Sequence, residues 1–122
     1  MGYHVISVAD LEATPDRPST QYAIGAAAGL EQFALNRYEA APGEMIPLAY
    51  HYHTEQEEAL YVLSGTLYVE TPESTLEVGP DEVFVAEPES PHRAFNPEDA
   101  ADEVHVLAIG APAVDDAEVY EP

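Results

Sequence analysis

Short runs of alternating or apolar residues recur along the chain, at 32–40, 45–53, 59–64, 66–70, 74–78, 83–86, 92–96 and 104–109, and each is cut off by Gly, Pro, Ser or a cluster of acids. Runs this short cannot carry long helices, and the pair Pro42-Gly43 is a turn signal between two of them. Many short strands punctuated by turn residues predict an all-β chain closed as a sandwich or barrel. Residues 3–8 (Tyr-His-Val-Ile-Ser-Val) add a further strand candidate rich in β-formers, and residues 14–19, with two prolines, read as a loop. Over residues 23–30 the Ala run favours helix while Gly25 and Gly29 oppose it, so the sequence leaves that stretch undecided. The segment 112–122 is acidic and reads as a loosely held tail, with a short strand at Val119-Tyr120. No internal repeat and no long helix is visible, and 122 residues amount to one domain, 1–122.

Charge narrows the function classes. The chain carries 24 Asp and Glu against three arginines, Arg17, Arg37 and Arg93, with no lysine, for a formal charge of -21. Nucleic-acid binding requires a basic face, so it is excluded as an expectation. An anionic membrane surface is disfavoured for the same reason. No apolar run approaches the roughly 18 residues of a membrane span. The start, MGYHVISVAD, lacks the charged and apolar regions of a secretory signal, so the expected location is cytoplasmic. Absence of Cys removes disulfides, thiolate metal sites and Cys nucleophiles. The acids are spread along the whole chain, where they repel one another at low ionic strength and are screened by high salt. Such Lys-free acidity resembles that of proteins from halophilic microbes, and a halophilic origin is expected.

The chemistry concentrates in the middle of the chain. His51 and His53 are two apart, so in a strand both imidazoles face one side. A shared metal is a good reason for two histidines on one face, although an isolated His-x-His more often packs or sits at the surface. Here a polar turn, Thr54 to Glu58, leads into the apolar run 59–64 and Gly65. If residues 46–53 and 58–64 are neighbouring strands, a Glu opening the second returns to the histidines.

These residues resemble the first motif of the cupin superfamily, G-x5-H-x-H-x(3,4)-E-x6-G. His51-Tyr52-His53 is followed by four residues, Glu58, six residues and Gly65, while seven residues separate Gly43 from His51, two more than the pattern. The second motif, G-x5-P-x-G-x2-H-x3-N, is met at His92 and Asn96. Its Pro and inner Gly would fall at Glu87 and Glu89, and Pro88 and Pro91 are read as stiffening that turn instead. The resemblance covers about residues 33–110. It implies a single-domain β-barrel of jelly-roll type, the double-stranded β-helix, with a metal inside the barrel mouth.

Carried over residue by residue, the resemblance places metal ligands at His51, His53, Glu58 and His92. Three imidazoles and a carboxylate suit Mn, Fe, Ni, Co or Zn. Glu57 is a rival, but Glu58 stands six residues before Gly65 and shares parity with Leu60 and Val62, which leaves Glu57 facing outward with Ala59 and Tyr61. Glu55 reads as part of a solvated turn.

His105, alternating with Leu107 and Ile109, is a candidate catalytic base or a support behind the ligands; a core or interface histidine is the commoner case. Arg37, with the parity of Phe33 and Leu35, is a candidate partner for a substrate carboxylate, against an ordinary ion pair. Arg93, next to His92, is turned away from the metal. His4 reads as structural. Tyr50 and Tyr52 pack on the face opposite the histidines, a candidate subunit contact. Met45, Tyr68, Phe84 and Phe95 read as core or pocket wall.

Two classes of function follow from the resemblance. One is a metal-dependent enzyme of dioxygenase, isomerase or epimerase, or decarboxylase type. The other is a non-catalytic protein that binds a small sugar or carboxylate. Either takes a small-molecule ligand, and small cupins commonly pair, so a homodimer is expected.

Overall fold

The computed structural model describes residues 2–122. Its strands are β1 (Thr20–Tyr22), β2 (Ala34–Ala40), β3 (His51–His53), β4 (Glu57–Ser64), β5 (Leu67–Glu70), β6 (Thr75–Val78), β7 (Val83–Ala86), β8 (Arg93–Phe95), β9 (Val104–Ala111) and β10 (Ala117–Val119), with one helix, α1 (Ile24–Ala28). All strand pairs are antiparallel. One wall is a five-stranded sheet in the order β1-β2-β9-β4-β7. The other is built from the pair β10-β3 and the three strands β6-β5-β8. A reciprocal backbone bridge, His51 N–H to His92 O at 3.2 Å and His92 N–H to His51 O at 2.9 Å, joins these two pieces. The second wall thus runs β10-β3-β8-β5-β6, and the two walls enclose the core. This is the double-stranded β-helix.

Alternation along the strands explains the filling. In β9 the buried residues are Val104, Val106, Ala108 and Gly110, and in β4 they are Leu60 and Val62. Facing them are Leu67 and Val69 of β5, Val78 of β6 and Ala94 of β8. Gly65 closes the β4–β5 turn at φ 77°, and a Cβ there would stand 2.4 Å from the Glu103 carbonyl oxygen, so no side chain fits. Glu89 occupies the position of the second motif's inner Gly and keeps a left-handed backbone, φ 64°. Its N–H donates to the His53 carbonyl at 2.6 Å, which fastens the turn before His92 to β3.

Several expectations need correction. Residues 3–8 form no strand: Val5 is fully exposed, and Val8–Asp10 make a single 3-10 turn. Of 45–53, only His51–His53 is strand, and residues 46–50 are bends. That segment and β4 are not paired neighbours, because β3 pairs with β10 and lies in the other wall. The undecided stretch 23–30 contains the short α1, ended by Gly29 at φ 71°. β1 follows directly on the expected loop. The acidic tail is tied down: β10 runs along β3 with Ala117 opposite His53 and Val119 opposite His51, and the Tyr120 ring lies 5.0 Å from that of Tyr50.

Candidate metal centre

The fold brings the two histidine segments side by side and Glu58 across from them. β3 turns His51 and His53 inward, the backbone bridge sets His92 beside His51, and Glu58 projects from the second residue of β4 in the opposite wall. Ring centroids are 4.7 Å apart for His51 and His92, 4.9 Å for His51 and His53, and 6.5 Å for His53 and His92. Candidate ligand atoms of His51, Glu58 and His92 all lie within 4.8 Å of one another. Glu58 Oε1 is 2.9 Å from His92 Nε2, and Oε2 is 3.8 Å from His53 Nε2. Glu57 is exposed on the other side of the strand.

The rings are fixed from behind. Nδ1–H of His51 donates to the Ala49 carbonyl at 2.9 Å, and that of His92 to the Ser90 carbonyl at 2.8 Å. The third, Nδ1–H of His53, donates to Asp116 Oδ1 at 2.8 Å. An acceptor on Nδ1 selects the tautomer in which Nε2 carries the lone pair, the usual arrangement behind a metal-bound imidazole. His53 Nε2 is buried with no hydrogen-bond partner, an atom whose desolvation nothing in the protein offsets. His53 stands outside the close group of His51, Glu58 and His92, with its Nε2 3.8 Å from Glu58 Oε2, and imidazole nitrogens together with a carboxylate are a donor set that fits a divalent transition ion.

Electrostatics agree. Burial pushes the Glu58 carboxyl up, but the hydrogen bond from His92 and the charges of His92, His53 and His51 outweigh it and hold the carboxyl below its ordinary range. Burial likewise pushes His92 down, and Glu58 with the Ser90 carbonyl reverses this, so its pKa is raised. His51 is lowered, by burial first and by charge on His92 second. Glu58 and His92 thus favour positive charge at the centre.

Asp116, in a stretch legible from sequence only as acidic, is the main support from the tail. It accepts from His53 Nδ1 and from the backbone N–H groups of Glu55 (2.6 Å) and Gln56 (2.9 Å). Burial raises its carboxyl, and these three bonds overcome that and lower it to about 2. Gln56 is buried and donates to the Pro112 carbonyl at 3.0 Å, so the turn before Glu58 and the tail hold each other.

A cavity of about 640 Å³ opens over the centre, lined by His51, His53, Glu58 and His92 together with Arg17, Asn36, Tyr38, Ile46, Leu48, Leu60, Val114, Asp115 and Glu118 among others. His105 is not among its walls. With Val104, Val106 and Ala108 inward, His105 faces the outside of the sheet, where its Nδ1 accepts from Arg37 Nη2 at 3.0 Å and its Nε2–H donates to Glu103 at 3.0 Å. Arg37 lies on the same outer face, paired with Glu39 at 3.2 Å, so it does not reach into the barrel. Arg93 turns away from the metal centre to Glu70 at 3.1 Å. Phe84 packs on the core with its ring 5.4 Å from His92, and Phe95 meets Tyr68 at 6.0 Å. His4 is exposed and lies outside any strand.

The chain belongs to the cupin family: residues 36–110 match the cupin domain. No curated protein matches the sequence. Solved structures share the fold. The polyketide cyclase RemF from Streptomyces resistomycificus is 22% identical with a TM-score of 0.80, over 98% of this chain and 87% of that one. A sugar phosphate isomerase of the cupin superfamily from Silicibacter pomeroyi is 23% identical, TM-score 0.76, over 88% and 75%. An uncharacterized double-stranded β-helix protein from Klebsiella pneumoniae is 17% identical, TM-score 0.75, over 98% and 99%.

Proposed function

We propose that this cupin is a divalent-metal-dependent enzyme acting on a small polar molecule, with His51, His53, Glu58 and His92 as ligands to Mn, Fe, Ni, Co or Zn. The observation that carries this reading is the common orientation of the three imidazoles. Each has its Nδ1–H tied to an acceptor, and the partnerless Nε2 of His53 is buried toward Glu58. When bound, such an ion supplies Lewis-acid polarisation of a substrate oxygen or a place to activate dioxygen. The chain itself supplies orientation and exclusion of water. Leu60, Ile46 and Ala94 give the cavity apolar walls, and Asn36 and Tyr38 offer polar groups to a substrate. Tyr38 keeps its proton: burial raises its pKa against the hydrogen bond from Gln21 Nε2 at 2.7 Å, so at neutral pH the hydroxyl is a donor. A sugar phosphate isomerase and a polyketide cyclase stand among the solved neighbours, which supports an enzyme on a small molecule, of isomerase or epimerase type; the dioxygenase and decarboxylase types rest on the family resemblance alone.

A second reading, a non-catalytic binder of a small sugar or carboxylate, is favoured by the placement of His105 outside the cavity, which removes the one histidine base considered beyond the ligands. The test is elemental analysis with thermal melts. Purified protein is expected to hold about one divalent transition ion per chain, and chelation is expected to lower the melting temperature, since a ligand bound only by the folded state stabilises it. Protein that refuses every divalent ion offered overturns the enzyme reading.

The same proposal covers setting and assembly. The acidity supports a halophilic protein, and a cytoplasmic location is part of the proposal; among the described residues no helix is long and apolar enough to cross a membrane. For a homodimer the best surface is the outer face of the five-stranded sheet, where Tyr61 lies opposite Val83 and Ala59 opposite Val85 and Ile109. Val83, Val85 and Ile109 are 52%, 60% and 41% exposed, an apolar strip on an otherwise acidic chain. Light scattering in molar KCl is expected to give about twice the 13.2 kDa chain mass, and Val85→Glu to halve it. A wild-type monomer rejects the dimer.

A further inference from the structure

Only three side chains in this protein carry a permanent positive charge, against 24 acids. Arg37 and Arg93 have found carboxylates, Glu39 at 3.2 Å and Glu70 at 3.1 Å. Arg17, in the segment before β1, has none among the described residues. Its Nη2 donates to the Ile46 carbonyl at 2.9 Å, the guanidinium lies 5.7 Å from the centroid of the Tyr38 ring, and Nε is buried with no partner. Arg17, Ile46 and Tyr38 all line the cavity that holds the metal centre. A half-buried guanidinium without a counter-ion is costly, and with eight acids for every arginine a carboxylate neighbour would have been easy to supply. The other charged groups on the cavity wall, apart from the histidines, are the acids Glu58, Asp115 and Glu118. An anionic ligand therefore meets one attractive protein charge outside the metal centre, and repulsion on the tail side.

We infer that Arg17 is the anion anchor of this cavity, and that the ligand is a small carboxylic acid whose carboxylate meets Arg17 while oxygen donors at its other end reach the metal. A single guanidinium matches a single carboxylate in charge and in planar geometry, and the low dielectric of a closed barrel strengthens the pair. A dianionic phosphate ester would leave charge unmatched in a cavity already rich in acids. Tyr38, packed under the guanidinium and held by Gln21, fixes the height of the anchor. The inference deepens the proposed function and rests on the metal centre it assigns.

The test uses zinc-loaded protein at one fixed KCl concentration and two probes of nearly the same shape, the anionic 3,4-dihydroxybenzoate and the neutral 3,4-dihydroxybenzamide. Both offer the same pair of chelating oxygens. Calorimetry is expected to show the acid binding about 10–100-fold more tightly than the amide, the range for a charge-assisted contact out of bulk water. Arg17→Gln is expected to bring the two affinities together with zinc content unchanged. Arg17→Lys, which keeps charge but loses the planar fork, is expected to retain part of the preference, and it serves if the Gln variant does not fold. An acid preference equal in wild type and both variants overturns the anchor while leaving the metal centre standing. Equal affinity of acid and amide for wild type does the same. Tighter binding of phenyl phosphate than of benzoate overturns the carboxylate class. Loss of zinc binding in the wild type would remove the proposed function itself, and the inference with it.

Discussion

Glu58→Ala is expected to lower metal affinity on the order of 100-fold or more, while Glu57→Ala leaves it within about twofold, because loss of a direct ligand exceeds the 10–100-fold typical of removing a supporting partner. The two residues are adjacent and chemically identical, so the contrast isolates geometry. Glu58 reaches His92 Nε2 at 2.9 Å and stands 3.8 Å from His53 Nε2, whereas Glu57 is exposed on the outer face opposite Ala111. Glu58→Ala also leaves His92 without the carboxylate that raises its pKa, so the metal-free variant is expected to titrate His92 at lower pH than the metal-free parent. Elemental analysis after dialysis, with NMR titration of the histidines, checks both. Metal loss from Glu57→Ala with retention in Glu58→Ala would reverse the assignment.

That contrast was open to sequence reasoning because the spacing from His53 to Glu58 and on to Gly65 is local, and strand parity acts over a few residues. Gly65 is required by the Glu103 carbonyl behind it, and the motif records that requirement. Parity divides a strand into two faces without naming the inner one. β9 has apolar residues on both, Val104, Val106 and Ala108 against Leu107 and Ile109, so the sequence leaves open which face His105 and its diagonal neighbour Arg37 take; both lie outside, with Arg37 in an ion pair to Glu39, the alternative weighed for it. Asp116 lies 63 residues from His53, in a segment whose composition says only that it is acidic. It matters because β10 pairs with β3, and register between distant strands is not written in either strand alone. Arg17 was hidden in the same way, in a proline-flanked loop whose position over Tyr38 depends on the closure of the barrel.

Raising KCl from 0.1 M to 2 M is expected to increase the melting temperature by more than about 10 °C, since the Debye length shrinks from about 10 Å to below about 3 Å and repulsion among surface carboxylates falls with it. With a formal charge of -21 on 122 residues, this repulsion is a large unfavourable contribution in the folded chain, and cations accumulated at the surface reduce it further. Acid offers a different relief, because net charge vanishes near the pI of about 4.1, but it removes a support at the same time. Asp116 has a folded pKa of about 2 against an ordinary value near 3.8, so its contribution is complete above the unfolded value and is lost as the pH falls from about 5 towards 2. Glu58, also lowered, acts with the same sign. Metal leaves earlier still, because protons compete with it for the imidazole ligands, first at His92, whose pKa Glu58 and the Ser90 carbonyl raise against burial. The expected sequence on acidification is therefore loss of metal with the barrel folded, then release of the tail from His53 and the Glu55–Gln56 turn, and only then unfolding. Melts across a KCl series at pH 7, with metal content and tail proteolysis followed down to pH 3, test it. A melting temperature flat from 0.1 M to 2 M KCl would show that the acids are not a destabilising field, and unfolding that coincides with metal loss would show that the barrel depends on the ion.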